Sequence, residues 1–516
     1  MEPTVSSCIL FSICSLCLYL FFRHVLLRAN SNKRSKILPF PPSASPLPFI
    51  THIFFRRRSI YDIVHILRRF HSLLGPIFSL RLTPFSKPSI FISDPHLAHS
   101  ALIVHGAAFA DRPPSDSEPG RFLTANNHNI SSSPYGSLWQ LLRRNLTSET
   151  IHSSRIHLFA PGRRWALEHL LNSLRSQSGL VVVVKETFQH AIFSLIVLLC
   201  FGEKLSMSEI RDIESPLVFL LRTFTSFNVF AVFPAVTKVL FRKRWENIIR
   251  SRQREAEIFL PMIRARRERM HSAGPYYCYV DSLLDLKLPN EGGRGLTDDE
   301  IVVLCHEFLA GGIDTTTTAL EWTMAELVKN QCVQSKLWTE IKSLMESDDV
   351  EIIEEEDLLR MPYLKALVME SLRRHPPGHI VLPHSVTEDV TLGGFLIPKG
   401  TEVNFAVADV NWDRRNWVDP FEFWPERFMA GGDGEGLDLT GRREIKMMTF
   451  GAGRRMCPGY RLAMLHLEFF VANLVKEFEW KVESGGEVDL SEKLEFTTVM
   501  KHPLRARIFP RVKNNK

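Results

Sequence analysis

Thr297-Asp-Asp-Glu300 sets a threonine three residues ahead of a glutamate, immediately before an apolar run. This is a capping box: each side chain can satisfy a backbone N–H that the first helical turn leaves free. Helical patterning then continues to about Lys329 without a proline. At 1.5 Å per residue the helix is on the order of 50 Å long, enough to cross a whole domain. Its middle, Ala310-Gly-Gly-Ile-Asp-Thr-Thr-Thr-Thr318, works against helix stability, because two glycines and four β-branched threonines are poor helix formers. Gly311 and Gly312 allow a ligand to approach the backbone, and the Thr315 hydroxyl can open the hydrogen-bond ladder. Taken alone, the same stretch is equally compatible with a kinked core helix.

A second constraint is Phe450-Gly-Ala-Gly-Arg-Arg-Met-Cys457-Pro-Gly459. Gly451 and Gly453 permit a tight backbone approach to something flat and conformations that a side chain forbids. Pro458 suits the first turn of a helix, and Leu462, Leu465, Phe469 and Leu474 recur at helical spacing after it. Cys457 is therefore expected at a helix N-terminus beside Arg454 and Arg455, with a lowered pKa and thiolate character, the form that binds metal. A buried apolar cysteine in a glycine turn is the ordinary alternative. It does not call for two glycines and two arginines.

The net charge of +6 on 516 residues suits an anionic membrane surface or an acidic protein partner and is too weak to argue for nucleic acid. The eight cysteines show no disulfide framework or zinc spacing, which points to a reducing compartment. Residues 5–22 are almost continuously apolar, and the run extends to Leu27. That is long enough to span a bilayer. Arg28, Lys33, Arg34 and Lys36 follow it, so the positive-inside rule leaves the body in the cytosol and the charge order disfavours a cleaved signal. We expect an anchor at 1–28, a basic and proline-rich hinge at 29–50, and a single cytosolic domain at 51–516.

Residues 77–82 and 89–93 read as a hairpin. Helical periodicity is lost over 104–129, amid Arg112-Pro-Pro114. Trp139 and Arg143 are four apart, on one helical face. Residues 191–201 are too short for a second span and read as a core helix. The apolar stretch 224–236 reads as core or as a contact with the membrane interface. Residues 243–269, rich in arginine, read as a solvated helix face. His306-Glu307 lacks the second histidine of a zinc hydrolase, since position 310 is Ala310. Glu370-Ser-Leu-Arg373 pairs charges on a helix stopped by Pro376-Pro377, and residues 390–394 and 396–404 read as strands. Residues 494–501 are expected to return a β turn.

The spacing F-x-x-G-x-R-x-C-x-G resembles the haem-binding loop of the cytochrome P-450 family, the haem-thiolate monooxygenases. The resemblance extends through anchor, hinge, W-x-x-x-R, the threonine helix, E-x-x-R and Phe423-Trp-Pro-Glu-Arg427-Phe428, in the family's order and closest in wording to plant microsomal members. It implies a mainly α fold with small β-sheets and haem b (iron protoporphyrin IX), with Cys457 as axial ligand of the iron. Phe450, Gly451, Arg455 and Gly459 belong to the cofactor loop, and Trp139, Arg143, Arg455 and His384 seat the propionates. Asp314 and Thr315 guide protons to dioxygen. Glu370, Arg373 and Arg427 form a buried triad that locks the region around the haem loop.

The implied reaction inserts one oxygen atom into an apolar small molecule. Electrons come from NADPH through a separate flavoprotein reductase, since no dinucleotide fingerprint is present. Arg143, Arg144, Arg454 and Arg461 are candidates for its docking patch. The implied location is the endoplasmic reticulum membrane, and Leu123, Leu309, His379, Val381 and Val499 fall in segments assigned to the pocket. Two positions depart from the common pattern: Thr449 stands where proline is usual, and His384 where arginine is usual. The alternatives are a haem-thiolate isomerase or dehydratase acting on a peroxide without O2 or reductase, and a non-enzymatic haem-binding electron carrier.

Overall fold

The computed structural model describes residues 38–45, 64–81, 87–114, 118–225, 234–269, 277–345, 351–483 and 486–511. The expected anchor, most of the hinge and residues 226–233 lie outside them.

The architecture is mainly helical. The helices that position the site are α1 (Ser137–Asn145), α2 (Val184–Phe201), α3 (Arg242–Arg269), α4 (Asp298–Lys329), α5 (Pro362–Arg374) and α6 (Tyr460–Glu477). The expected capping box opens α4: the Thr297 N–H donates to Glu300 Oε2 at 2.7 Å, and the Glu300 N–H donates to Thr297 Oγ1 at 3.3 Å. α4 runs unbroken through its threonines with α2 and α6 packed along it. By length and composition α2 could cross a membrane, yet 72% of it is buried in the protein, as expected for a core helix. Gly312 explains part of that fit. A Cβ there would sit 3.1 Å from Ile196, so the glycine lets α2 and α4 approach closely.

Two aspects of α3 and the hinge differ from expectation. The arginines of α3 are not all solvated, because Arg252 and Arg266 are buried in ion pairs with Glu255 and Asp281. The end of the proline-rich segment is strapped to the body, Pro42 O accepting the Ser79 N–H at 2.8 Å and Pro39 O the Leu396 N–H at 3.0 Å.

That strap begins a five-stranded sheet made of β1 (Ser43–Ala44), β2 (Ile77–Leu80), β3 (Ser89–Ile92), β4 (His384–Ser385) and β5 (Glu402–Phe405). Their spatial order is β1-β2-β3-β5-β4, with β2 and β3 antiparallel as the hairpin pattern requires. A three-stranded sheet joins Val181–Val183, Arg505–Pro510 and Phe478–Val482. A last hairpin, β6 (Glu492–Leu494) and β7 (Thr498–Met500), is the returning turn expected near the C-terminus. The largest core lies among the helices and a second lies under the five-stranded sheet. The cysteine loop bridges the two. Ile445, Met448 and Ala452 are buried in the sheet core, while Leu462 and Phe469 of α6 are buried in the helical one.

Candidate functional site

The loop is held by backbone geometry before any side chain acts. Gly451 and Gly453 have φ of +70° and +69°, left-handed values that favour glycine. A Cβ on Gly453 would lie 2.1 Å from Leu102 O, so its close approach is to the protein's own chain rather than to a ligand. The Cys457 N–H donates to Phe450 O at 2.8 Å, closing the loop on itself. Pro458 and Gly459 form a turn, and α6 starts only at Tyr460, so Pro458 precedes the helix instead of opening its first turn.

The Cys457 thiol departs from expectation. Cys457 is half-buried as a residue, and burial pushes its thiol pKa up. The Gly459 N–H and the Arg143 guanidinium pull it down without winning. Stabilisation of an anion by a helix N-terminus acts within the first turn, and Cys457 lies just outside it. A coordinated metal ion deprotonates a thiol outright, so the local field need not do so.

Around the loop the structure gathers guanidiniums. Arg143 of α1 donates to Met456 O at 2.5 Å, beside the cysteine. Arg455 donates to Ala110 O, Ile130 O and Ser133 O at 2.7, 3.0 and 2.6 Å, and lies over the Trp139 ring at 4.4 Å. Arg112 donates to Ser131 O at 2.7 Å and to Leu382 O and Pro383 O at 2.8 Å each. Burial and then the nearby Arg112 bring the Arg455 pKa down to about 9, and burial brings that of Arg112 down to about 10. Two carboxylates, Asp111 and Glu307, stand against this positive charge. Glu307 of α4, itself pushed up by burial, accepts the N–H groups of Ile130, at 2.8 Å, and Ser131. It draws on Arg112, Arg143 and Arg455 at longer range.

Two of the expected propionate contacts are turned elsewhere. Trp139 Nε1 donates to Ile130 O at 3.1 Å, so the indole supports Arg455 and spends its one donor on the backbone. His384 is buried, with Nδ1 2.7 Å from Phe109 O, and desolvation lowers its pKa to about 3. The ring is therefore neutral and carries its proton on Nδ1. Nε2 is left as an acceptor and cannot donate to a carboxylate. Arg112, visible in the sequence only as part of Arg-Pro-Pro, is a further guanidinium beside Arg455 and His384.

On α4 the Thr315 hydroxyl donates to Gly311 O at 2.7 Å while the helix continues unbroken, so it does not open the ladder as the sequence suggested. Gly311 is the open glycine of the pair, with nothing within 4 Å of a Cβ built on it. Asp314 Oδ2 accepts from Thr497 Oγ1 at 2.7 Å, and Thr497 Oγ1 is 2.9 Å from Thr318 Oγ1. Thr497 was not legible as a partner, being 183 residues away.

The charged triad is assembled. Arg373 donates to Glu370 through Nε at 2.7 Å and Nη2 at 2.9 Å, and Arg427 Nε donates to it at 3.2 Å. Arg373 also reaches Asn411 O and Pro420 O, and all three triad residues are at most 4% exposed. Burial pushes the Glu370 carboxyl up despite the two guanidiniums. Of the pocket candidates, Leu309 is buried in the helical core, and Leu123 packs against Leu220 and Ile248. Val381 comes within 3.9 Å of a Cβ built on Gly451.

These residues fit a haem. They provide one thiol as a soft metal donor, guanidiniums suited to carboxylates, and glycines at 311 and 459 whose Cβ positions meet nothing within 4 Å. Comparison with known proteins agrees. The family model described as Cytochrome P450 matches residues 41–509. Cytochrome P450 89A9 of Arabidopsis thaliana is 46% identical, covering 92% of this chain and 94% of the relative. Germacrene A acid 8-beta-hydroxylase of Helianthus annuus is 28% identical, covering 90% and 93%. The retinoic acid-bound cyanobacterial CYP120A1 has a TM-score of 0.74 at 20% identity, covering 92% of this chain and 100% of its own. A zebra fish cytochrome P450 with progesterone has a TM-score of 0.71 at 23% identity, covering 86% and 99%. These two structures establish the fold. Motifs, geometry and relatives converge: this chain belongs to the cytochrome P450 family and is a plant-type monooxygenase.

Proposed function

We propose that this protein is a membrane-anchored haem-thiolate monooxygenase that oxidises an apolar small molecule, taking electrons from NADPH through a separate flavoprotein reductase. The observation that carries the reading is the Cys457 loop closed on Phe450 O, with Arg143 bonded to the adjacent Met456 O. Cys457 would ligate the iron through its sulfur, and Arg112, Arg143 and Arg455 would hold the two propionates. Phe450, Gly451 and Gly459 shape the loop around that sulfur. Bound there, the haem supplies reductive activation of O2 and the oxidising power for insertion into C–H or C=C.

The chain's own residues do the rest. Asp314 and Thr315 hold and pass protons on the α4 side, the Thr315 hydroxyl being oriented by Gly311 O. Glu370, Arg373 and Arg427 fix the segment that leads to the loop. Breaking such a buried charge network costs about 3–5 kcal/mol. Glu370→Ala is therefore expected to yield protein without haem, read as the haem-to-protein ratio.

Attachment to the endoplasmic reticulum membrane rests on residues 1–28, with the catalytic domain in the cytosol. A second contact is supported at 239–241, just beyond the apolar stretch 224–236. Val239, Leu240 and Phe241 are 75%, 71% and 44% exposed, among Lys238, Arg242, Lys243 and Arg244. Apolar tips amid cations suit an anionic lipid interface. Arg143 is turned inward, so the reductase patch narrows to the exposed Arg144, Arg454 and Arg461.

Reconstitution with a plant NADPH-dependent reductase in vesicles tests the reading. The expected result is product formation that needs NADPH, O2 and reductase together, with the apparent KM for reductase rising in Arg454→Glu/Arg461→Glu. Turnover of an organic peroxide without NADPH or reductase, alongside failure to turn over with them, would assign the isomerase or dehydratase chemistry instead.

A further inference from the structure

α5 ends at Arg374, and the last carbonyls of a helix lack intrahelical partners. Here they are met by side chains from two other segments. Thr449 Oγ1 donates to Leu372 O at 2.8 Å. Asn411 Nδ2 donates to Thr449 Oγ1 at 2.8 Å and to Arg373 O at 3.3 Å. Asn411 Oδ1 accepts the Met448 N–H at 2.8 Å, while its backbone carbonyl accepts Arg373 Nη1 at 3.1 Å. Asn411 is fully buried. The Thr449 hydroxyl is used as both donor and acceptor, which a proline at this position could not reproduce.

The arrangement has a direction. Met448 and Thr449 are stitched to the end of the helix that bears Glu370 and Arg373. The next residue, Phe450, presents the carbonyl that receives the Cys457 N–H. We infer that Thr449 and Asn411 form a hydrogen-bonded clasp that positions the cysteine loop, replacing proline rigidity with side-chain bonds. They are positioning residues that act on Cys457 through Phe450. The inference rests on the haem-thiolate reading for its consequence and on the hydrogen bonds alone for its mechanics.

The test uses the full-length protein in membranes, as wild type, Thr449→Val, Thr449→Ser, Asn411→Ala and the double variant Thr449→Val/Asn411→Ala. One readout is the carbon monoxide difference spectrum, whose red-shifted band reports thiolate ligation, followed over time at a raised temperature. Loss of the hydroxyl is expected to speed the decay of that band about five- to tenfold, the order of one buried hydrogen bond. Thr449→Ser should stay within about twofold of wild type, and the double variant should be no worse than about the poorer single one.

The second readout needs no cofactor. Hydrogen exchange of the peptide spanning 448–457 should rise in Thr449→Val and not in Thr449→Ser. Thr449→Val matching wild type in both readouts, or the two single effects multiplying in the double variant, would overturn the clasp. A wild type without the red-shifted band would sink the haem-thiolate reading instead, and the exchange readout would still decide the clasp.

Discussion

Thr497 Oγ1 donates to Asp314 Oδ2 at 2.7 Å, tying the turn between β6 and β7 to the acid on α4. Both Thr497 and its neighbour Thr318 are buried, so the carboxylate oxygen is held by a hydroxyl pair shielded from water. An acid that serves as a proton donor must keep one orientation to be efficient. Thr497→Val keeps the shape and removes the hydroxyl. We expect peroxide released per NADPH consumed to rise about three- to tenfold with little change in haem content. Unchanged coupling would remove Thr497 from the account of proton delivery.

Glu307 makes a different kind of bridge. Its carboxylate holds two backbone N–H groups of the irregular segment before α1 and counters three half-buried or buried guanidiniums. Truncation strands both donors, at about 1–3 kcal/mol each. Glu307→Ala should therefore lower the unfolding free energy by about 3 kcal/mol and speed proteolytic cleavage within 118–136. Glu307→Gln, which keeps one acceptor, should lose about half as much. Equal stability of the alanine variant and wild type in urea titration would contradict this.

Glu468 on α6 gives a pH dependence. Burial raises its pKa from 4.5 to about 7, against a weaker pull from Lys365. The folded chain therefore holds a proton that the unfolded chain releases between these two values. This contribution is fully present below pH 4.5, declines as pH rises to about 7, and is flat above it. The size is at most about 3.5 kcal/mol at 1.36 kcal/mol per pKa unit. Glu468→Gln should flatten the stability profile across that window and gain stability at pH 8. A variant whose profile parallels wild type would place the carboxyl in solvent.

The parts of the molecule legible in the sequence are those whose causes are local. The capping box at Thr297 predicts where α4 begins because both partners lie within one turn, and proline and glycine mark the strand ends around 393 and 400. The residues alone showed the triad as two separate motifs, Glu370 with Arg373 and, downstream, Arg427, which only the family resemblance joined. The segment before α1 was not, because its order comes from Arg112, Arg455 and Glu307 reaching across up to 345 residues. Glu307 had a signal, a carboxylate inside the apolar run Leu304–Ala310, but that signal carried no partner. His384 was legible as a residue type and not in its setting. Its chemistry depends on burial beside two arginines, and no pattern of residue types reports burial of that kind.

The central claim is that Cys457 ligates the iron of a haem seated against this loop. It is tested most directly by the difference spectrum of reduced, carbon monoxide-bound membranes carrying wild type or Cys457→Ala at matched protein. The account predicts a strongly red-shifted carbonyl band in wild type and none in the variant. The same red-shifted band in Cys457→Ala would contradict it.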